Sequence, residues 1–181
     1  MADGYTRPTF TAINLTVENF RYKEIRMNPK TDHPKLTVDA PVLLAIAVLL
    51  TFLLQRFVPL PFFPSVPSRI IGTILFISGF AFGFPALRGM LRAKTTPNPH
   101  RATTALVRDS TYRFTRNPMY LGMIISYAGL FIFFQNPWFM LCLPFLVWLF
   151  TTWVIIPEEK YLEHKFGAEY QDFKTRVRRW I

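Results

Sequence analysis

The sequence predicts an all-α, polytopic integral membrane protein with four transmembrane helices and a C-terminal amphipathic interfacial helix. Three observations predict it. Only 18% of the 181 residues are charged, where a soluble domain carries about a quarter, while 51% are hydrophobic. The apolar residues gather in four stretches of spanning length, about 41–58, 70–87, 118–135 and 137–156. The remainder is split between an N-terminal tail of about 40 residues, a central loop of about 30 and a C-terminal tail of about 25. None of these pieces approaches the ~100 residues of a separate nucleotide-binding domain, which excludes a soluble Rossmann enzyme on a membrane anchor.

The tail, residues 1–39, balances six basic against five acidic residues and is read as polar and partly interfacial, with Val17, Phe20, Tyr22 and Ile25 spaced for a short surface helix. It lacks the basic-then-apolar pattern of a cleavable signal, so the first apolar stretch is expected to be a true span. Residues 40–91 hold helices 1 and 2, separated by the proline-rich VPLPFFPSVPS, in which regular helix is forbidden. In helix 2, Gly79 and Gly83 stand one turn apart and open a face that another helix can approach. Residues 117–157 contain no Asp, Glu, Lys or Arg, enough for two crossings, and Gln135-Asn136-Pro137 breaks them into a hairpin, 118–156. Pro157 is expected to end the last span and open a new helix. Beyond it, Leu162, Phe166, Tyr170, Phe173 and Val177 recur every three or four residues, the pattern of an amphipathic helix on the membrane surface.

Charge sets the orientation. The segment 88–116 carries seven basic residues, Arg88, Arg92, Lys94, Arg101, Arg108, Arg113 and Arg116, against Asp109 alone. The positive-inside rule makes this loop, and with four spans both termini, cytoplasmic. The net charge of +10 is then explained by topology and by anionic membrane lipids, with no nucleic acid as partner. Cys142 is the single cysteine, and His33, His100 and His164 are dispersed, so no metal site is expected.

Chemistry is sought where the charge-free hairpin begins and ends. An antiparallel hairpin returns both ends to one membrane face, so Arg116 and Glu158, 42 residues apart, become neighbours. Two readings stand at this point. Glu158 and Glu159 are merely charges capping the helix that Pro157 starts, or carboxylates at the mouth of a membrane cavity, facing arginines, bind a polar cationic ligand.

Tyr112, then Arg116-Asn117-Pro118-Met119-Tyr120-Leu121-Gly122, the apolar hairpin, Glu158-Glu159, Leu162, Phe166-Gly167, Tyr170 and Arg179-Trp180 form an ordered set. In this set, over about residues 95–181, the chain resembles the isoprenylcysteine carboxyl methyltransferase and phospholipid methyltransferase family of membrane enzymes. Ser110-Thr111, Asn117 and Arg178 depart from its usual pattern, which often has Gly-Pro, His and Pro there. The resemblance implies an S-adenosylmethionine-dependent methyltransferase whose catalytic region is 92–181. It implies a cofactor site made of Arg116, Asn117, Pro118, Tyr120, Gly122, Glu158, Glu159 and His100, with Arg116, Glu159 and Arg113 as catalytic residues. Under it, Glu158 or Glu159 would hold the ammonium or ribose, Arg116 the carboxylate, and Tyr120 the adenine or sulfonium. A carboxylate acceptor would need only positioning by Arg113 or Arg116, whereas an amine or thiol would lose its proton to Glu159 or His100.

The expected function is methyl transfer to a lipophilic or amphiphilic acceptor, a prenylcysteine-type carboxylate or a phospholipid amine, in a bacterial inner membrane or endoplasmic reticulum. The alternatives are S-methylation of a small thiol, and a non-catalytic membrane protein that packs on a partner through the Gly79 and Gly83 face.

Overall fold

The computed structural model describes residues 33–34, 38–61, 66–98 and 101–181, and among these every regular element is a helix, with no strand. Residues 1–32, with the expected surface helix, and His100 lie outside the described residues.

Helix α1, Ala40–Phe57, starts with Pro41 in its first turn, where the missing N–H costs nothing. Helix α2, Val66–Arg92, has 27 residues, so at 1.5 Å each it is longer than a ~30 Å hydrocarbon core and its last turns extend into the polar zone. Helix α3, Pro118–Phe134, stops where Gln135 turns left-handed at φ 54. The expected break between the hairpin helices therefore falls at 135–137. There Asn136 accepts the Trp138 N–H at 3.1 Å and donates to the Thr51 carbonyl at 3.1 Å, tying the turn to α1.

The last crossing differs from expectation. Pro157 does not end it: α4, Trp138–Leu149, passes through a π-helical turn, Phe150–Ile155, directly into α5, Ile156–Phe166. The physical reason lies one turn before the proline. A proline ring clashes with the carbonyl four residues back, and the wider π turn, in which the Ile156 N–H donates to Thr151 rather than to Thr152, relieves the ladder there. The charged end of this long helix, from Pro157, thus projects rigidly from the crossing 138–156 instead of hinging on it.

Gly167, at φ +51, then breaks the amphipathic segment in two, and α6 is Ala168–Arg176. Its apolar stripe packs on the protein itself: Leu162, Phe166, Tyr170, Phe173 and Val177 close over Ala86 of α2 and Tyr112 in the 3-10 turn Ser110–Arg113.

Two helix pairs make the membrane body. Helices α2 and α3 meet backbone to backbone: a Cβ on Gly79 would strike Ser126 and the Gly122 carbonyl, and one on Gly129 would strike the backbone of Phe76. Ser126 donates to the Phe76 carbonyl at 3.0 Å across the same contact. The glycine face that the sequence offered to a partner is thereby filled by the chain's own third helix. Helix α1 packs on α4 around Leu43, Tyr127, Phe139, Leu146 and Phe150. Large apolar residues on the outer faces, among them Ile46, Leu49, Ile74, Phe80, Phe145 and Trp148, remain exposed, as a lipid-facing surface requires. Three helical stretches, Ala40–Phe57, Val66–Arg92 and Trp138–Phe166, are long and apolar enough to cross a membrane, and Pro118–Phe134 is a shorter apolar helix beside them.

Candidate active site

The charged face of the bundle is built by three segments that converge from distant parts of the chain. Asn117-Pro118 starts α3, and proline at its first turn fixes the direction in which the preceding residues leave the membrane. The end of the long α4–α5 helix delivers Glu158 and Glu159 to the same place. The third segment, 178–180, folds back between them: the Arg178 carbonyl accepts the Arg116 N–H at 3.0 Å. The Arg179 carbonyl accepts from Thr115 Oγ1 and Asn117 Nδ2, both at 2.9 Å.

At the centre is a buried ion cluster. Glu159, with its side chain 8% exposed, receives Arg116 Nη2 at 2.9 Å and a two-pronged grip from Arg179, Nε at 3.1 Å and Nη2 at 2.7 Å. Charge-assisted bonds of this kind are about twice as strong as neutral ones, and the cluster holds both arginines in fixed geometry. One prong is left over: Arg116 Nε is buried and has no hydrogen-bond partner.

Glu158 is placed differently. Its Oε2 accepts the Tyr120 hydroxyl at 2.8 Å, and no cation pairs with it among the described residues. Burial pushes its carboxyl above the usual range and neighbouring Glu159 adds to this, while the Tyr120 bond acts the other way. Tyr112, beside it, is pushed upward by burial and by the Glu158 charge.

Arg116, Asn117, Pro118, Tyr120, Glu158 and Glu159 line one cavity, roofed by residues 103 and 105–107 and walled by Leu162, Tyr170 and Phe173. The space between them is narrow, about 50 Å³, against the ~300–1,000 Å³ of ligand pockets, so a ligand larger than water enters only as a wall moves. The roof segment is tied by the Thr103 N–H to Tyr161 at 3.1 Å, the Thr104 N–H to Thr95 at 3.0 Å and Thr104 Oγ1 to the Lys94 carbonyl at 3.1 Å.

Two of the expected residues, Arg113 and Gly122, do not join the cavity. Arg113 points outward, its side chain 72% exposed and 3.8 Å from Asp109, because the 3-10 turn aims Tyr112 inward and its neighbour to water. Gly122 faces α2, where a Cβ would meet the Gly79 carbonyl, so it serves helix packing instead. His100 lies outside the described residues. In the other direction, Arg179, Thr115, Tyr112 and Tyr170 surround the site without having been singled out as site residues. Tyr112, Tyr170 and Arg179 stood in the ordered motif, but nothing in their spacing tells that the C-terminal segment returns to the cluster.

A second, apolar groove opens sideways between α1 and α2, with α3 as its floor. It runs from Leu44 past Phe76 and Phe84 to Leu87 and holds about 740 Å³. Met119 lines both this groove and the cavity that holds Glu158.

The fold and the site define a class: a multi-pass helical membrane protein with an acid–arginine cavity at the end of its hairpin and an apolar groove that shares Met119 with it. The chain belongs to the phospholipid methyltransferase family, whose model matches residues 67–169. It is similar to the protein-S-isoprenylcysteine O-methyltransferase of Saccharomyces cerevisiae, 36% identical over 72 residues, which are 40% of this chain and 30% of that protein. It is also similar to protein-S-isoprenylcysteine O-methyltransferase B of Arabidopsis thaliana, 26% identical over 144 residues, 74% of this chain and 70% of that protein. An uncharacterized protein of Haemophilus influenzae matches along its full length, 33% identical over 63 residues and 35% of this chain. No solved structure matches.

Proposed function

We propose that this protein is an integral membrane methyltransferase that takes its methyl group from S-adenosylmethionine and delivers it to a lipophilic acceptor, a prenylcysteine-type carboxylate or a phospholipid amine. The observation that carries this reading is a pair of unmet polar groups in one cavity: the Arg116 Nε–H without an acceptor and the Glu158 carboxylate without a cation. They are complementary to an amino-acid end bearing one charge of each sign. When bound, the cofactor supplies an electrophilic methyl on a sulfonium.

The protein's own residues then have separate tasks. Arg116, held by Glu159, presents its free edge to a carboxylate, and Glu158 offers charge to an ammonium or sulfonium. The Tyr120 hydroxyl fixes the Glu158 rotamer. Glu159 is occupied on both oxygens by arginine and acts as the brace of the site, not as its base. Methyl transfer is an in-line displacement, so alignment and exclusion of water are the main contributions, and the roof over the cavity supplies the second. The apolar groove reaching Met119 favours an acceptor whose hydrocarbon chain lies among α1, α2 and α3 while its polar end meets the cavity.

The site is proposed to open to the cytoplasm. Single cysteines introduced after Cys142→Ala should label from the cytoplasmic side of sealed vesicles at Thr104 and from the other side at Pro61; the reverse would refute the orientation, and labelling of both from one side would refute the four-span topology. The activity is tested by incubating purified protein with methyl-labelled cofactor and extracted membranes. Label in the lipid or prenylated-protein fraction is expected. Label in small thiols instead would transfer the reading to that acceptor, and no label with no cofactor binding would refute it.

A further inference from the structure

A second polar site lies on the charged face, outside the cavity that holds Glu158. A cleft of about 460 Å³ is bounded by the end of α2 and by the chain leading into the 3-10 turn. Arg88 and Arg92 line it from one helix, four residues apart, and Arg108, Asp109 and Ser110 line it from the other side. Arg108 is already committed to Glu169, and Asp109 stands 3.8 Å from Arg113. Arg88 and Arg92 form no ion pair among the described residues. Two like charges one turn apart repel, and no acid in the cleft is free to relieve them.

The level of this cleft identifies the chemistry it fits. The apolar run of α2 ends at Leu87, so Arg88 and Arg92 stand where the helix leaves the hydrocarbon, at the depth of lipid phosphates. On the same helix Phe84 and Leu87 line the apolar groove, while Pro85 and Arg88, one residue further round, line the cleft. The two guanidinium groups that line the cleft have planar forks that match phosphate oxygens.

We propose that the Arg88–Arg92 cleft is a binding site for the phosphate of a membrane phospholipid. Topology alone accounts for positive charge on this face, but not for two arginines on one wall of a cleft with no ion pair among the described residues. The cleft also shares Leu106 and Val107 with the cavity of Glu158, so a lipid held there abuts the roof of that cavity.

The test is a calorimetric titration of the purified full-length protein in uncharged detergent, without cofactor, so that its outcome is separate from that of the methyl-transfer assay. The probes are dihexanoyl phosphatidate, inorganic phosphate and dihexanoylglycerol. Saturable binding of phosphatidate is expected, at least tenfold tighter than either of the others. Arg88→Gln combined with Arg92→Gln should weaken it at least tenfold. Ala93→Glu, which keeps both arginines and the topology but adds a carboxylate to the cleft, should do the same. Arg56→Gln with Arg69→Gln removes equal charge elsewhere and should leave it unchanged. Equal loss in this control, or no loss in the cleft variants, overturns the site. Equal affinity for inorganic phosphate overturns the lipid as its ligand, and equal affinity for dihexanoylglycerol overturns the role of the phosphate.

Discussion

Arg179 grips Glu159 with two nearly parallel hydrogen bonds, 3.1 and 2.7 Å, and so joins the C-terminal segment to the end of the last membrane helix. Arg116 holds the same carboxylate from a third direction at 2.9 Å. The arrangement makes Glu159 a structural pivot: it fixes Arg116, which lines the cavity and keeps an unpartnered Nε–H.

Arg179 is accordingly expected to be a positioning residue. Arg179→Lys retains the charge but loses the planar fork. It should lower the cofactor affinity at least tenfold while the thermal midpoint of the detergent-solubilised protein falls only slightly. Arg179→Ala should lower both, the stability by about 1–2 kcal/mol, since the pair is partly exposed and screened. Unchanged cofactor affinity in the lysine variant would show that the cavity does not depend on the fork.

Glu158 and Glu159 should respond oppositely to the same substitution. Glu159→Gln leaves two guanidinium groups facing a neutral amide, one of them, Arg116, only 9% exposed, and should destabilise the protein by about 3 kcal/mol. Glu158→Gln removes a partly buried carboxylate that no cation pairs with among the described residues and should keep or raise stability while cofactor affinity drops tenfold or more, about 1.4 kcal/mol. Thermal unfolding and equilibrium binding on both variants check this. A Glu158→Gln protein that binds cofactor normally would move the cation site elsewhere.

The pH dependence follows from the direction in which burial shifts Glu158. Its folded-state value lies above its unfolded one, so the folded protein holds the proton more tightly. This contribution to stability is fully present below the unfolded value and is lost as pH rises through the folded one. Cofactor binding has the opposite sign, because a cation favours the ionised carboxylate. Affinity should fall as pH drops through the raised Glu158 value, and Glu158→Gln should flatten that limb. A limb that persists in the variant would assign the titration to another group.

Arg116 and Arg113 offer a paired comparison. Both lie in the basic segment and count equally toward topology. Arg116→Lys should insert normally and transfer methyl groups at least tenfold more slowly, because the fork that meets both Glu159 and the cavity is lost. Arg113→Lys should match the wild type, since its side chain is exposed and its ion-pair partner among the described residues is Asp109 alone. Equal rates in the two variants would return Arg116 to a topological role.

Much of this molecule was legible from composition and order along the chain. Burial of apolar side chains in lipid is a local property, so the four apolar stretches, the hairpin break at 135–137 and the proximity of Arg116 to Glu158 follow from hydropathy and length. Other features depended on which surfaces meet, and no spacing rule contains that. Gly79 and Gly122 look like separate signals, one for packing and one for the cofactor motif, yet they are two halves of a single helix contact. Pro157 looks like a helix start, but a π turn one step earlier absorbs it and carries the glutamates outward on one rigid rod. The division of labour between Glu158 and Glu159, adjacent in sequence, was decided by the return of the C-terminal segment: Arg179 comes back over 20 residues to bind one carboxylate and leaves the other facing the cavity. Side-chain chemistry along the chain fixes which groups can ionise, bond or enter lipid. Only the path of the backbone in three dimensions decides which of them are left without a partner, and those are the groups a ligand can meet.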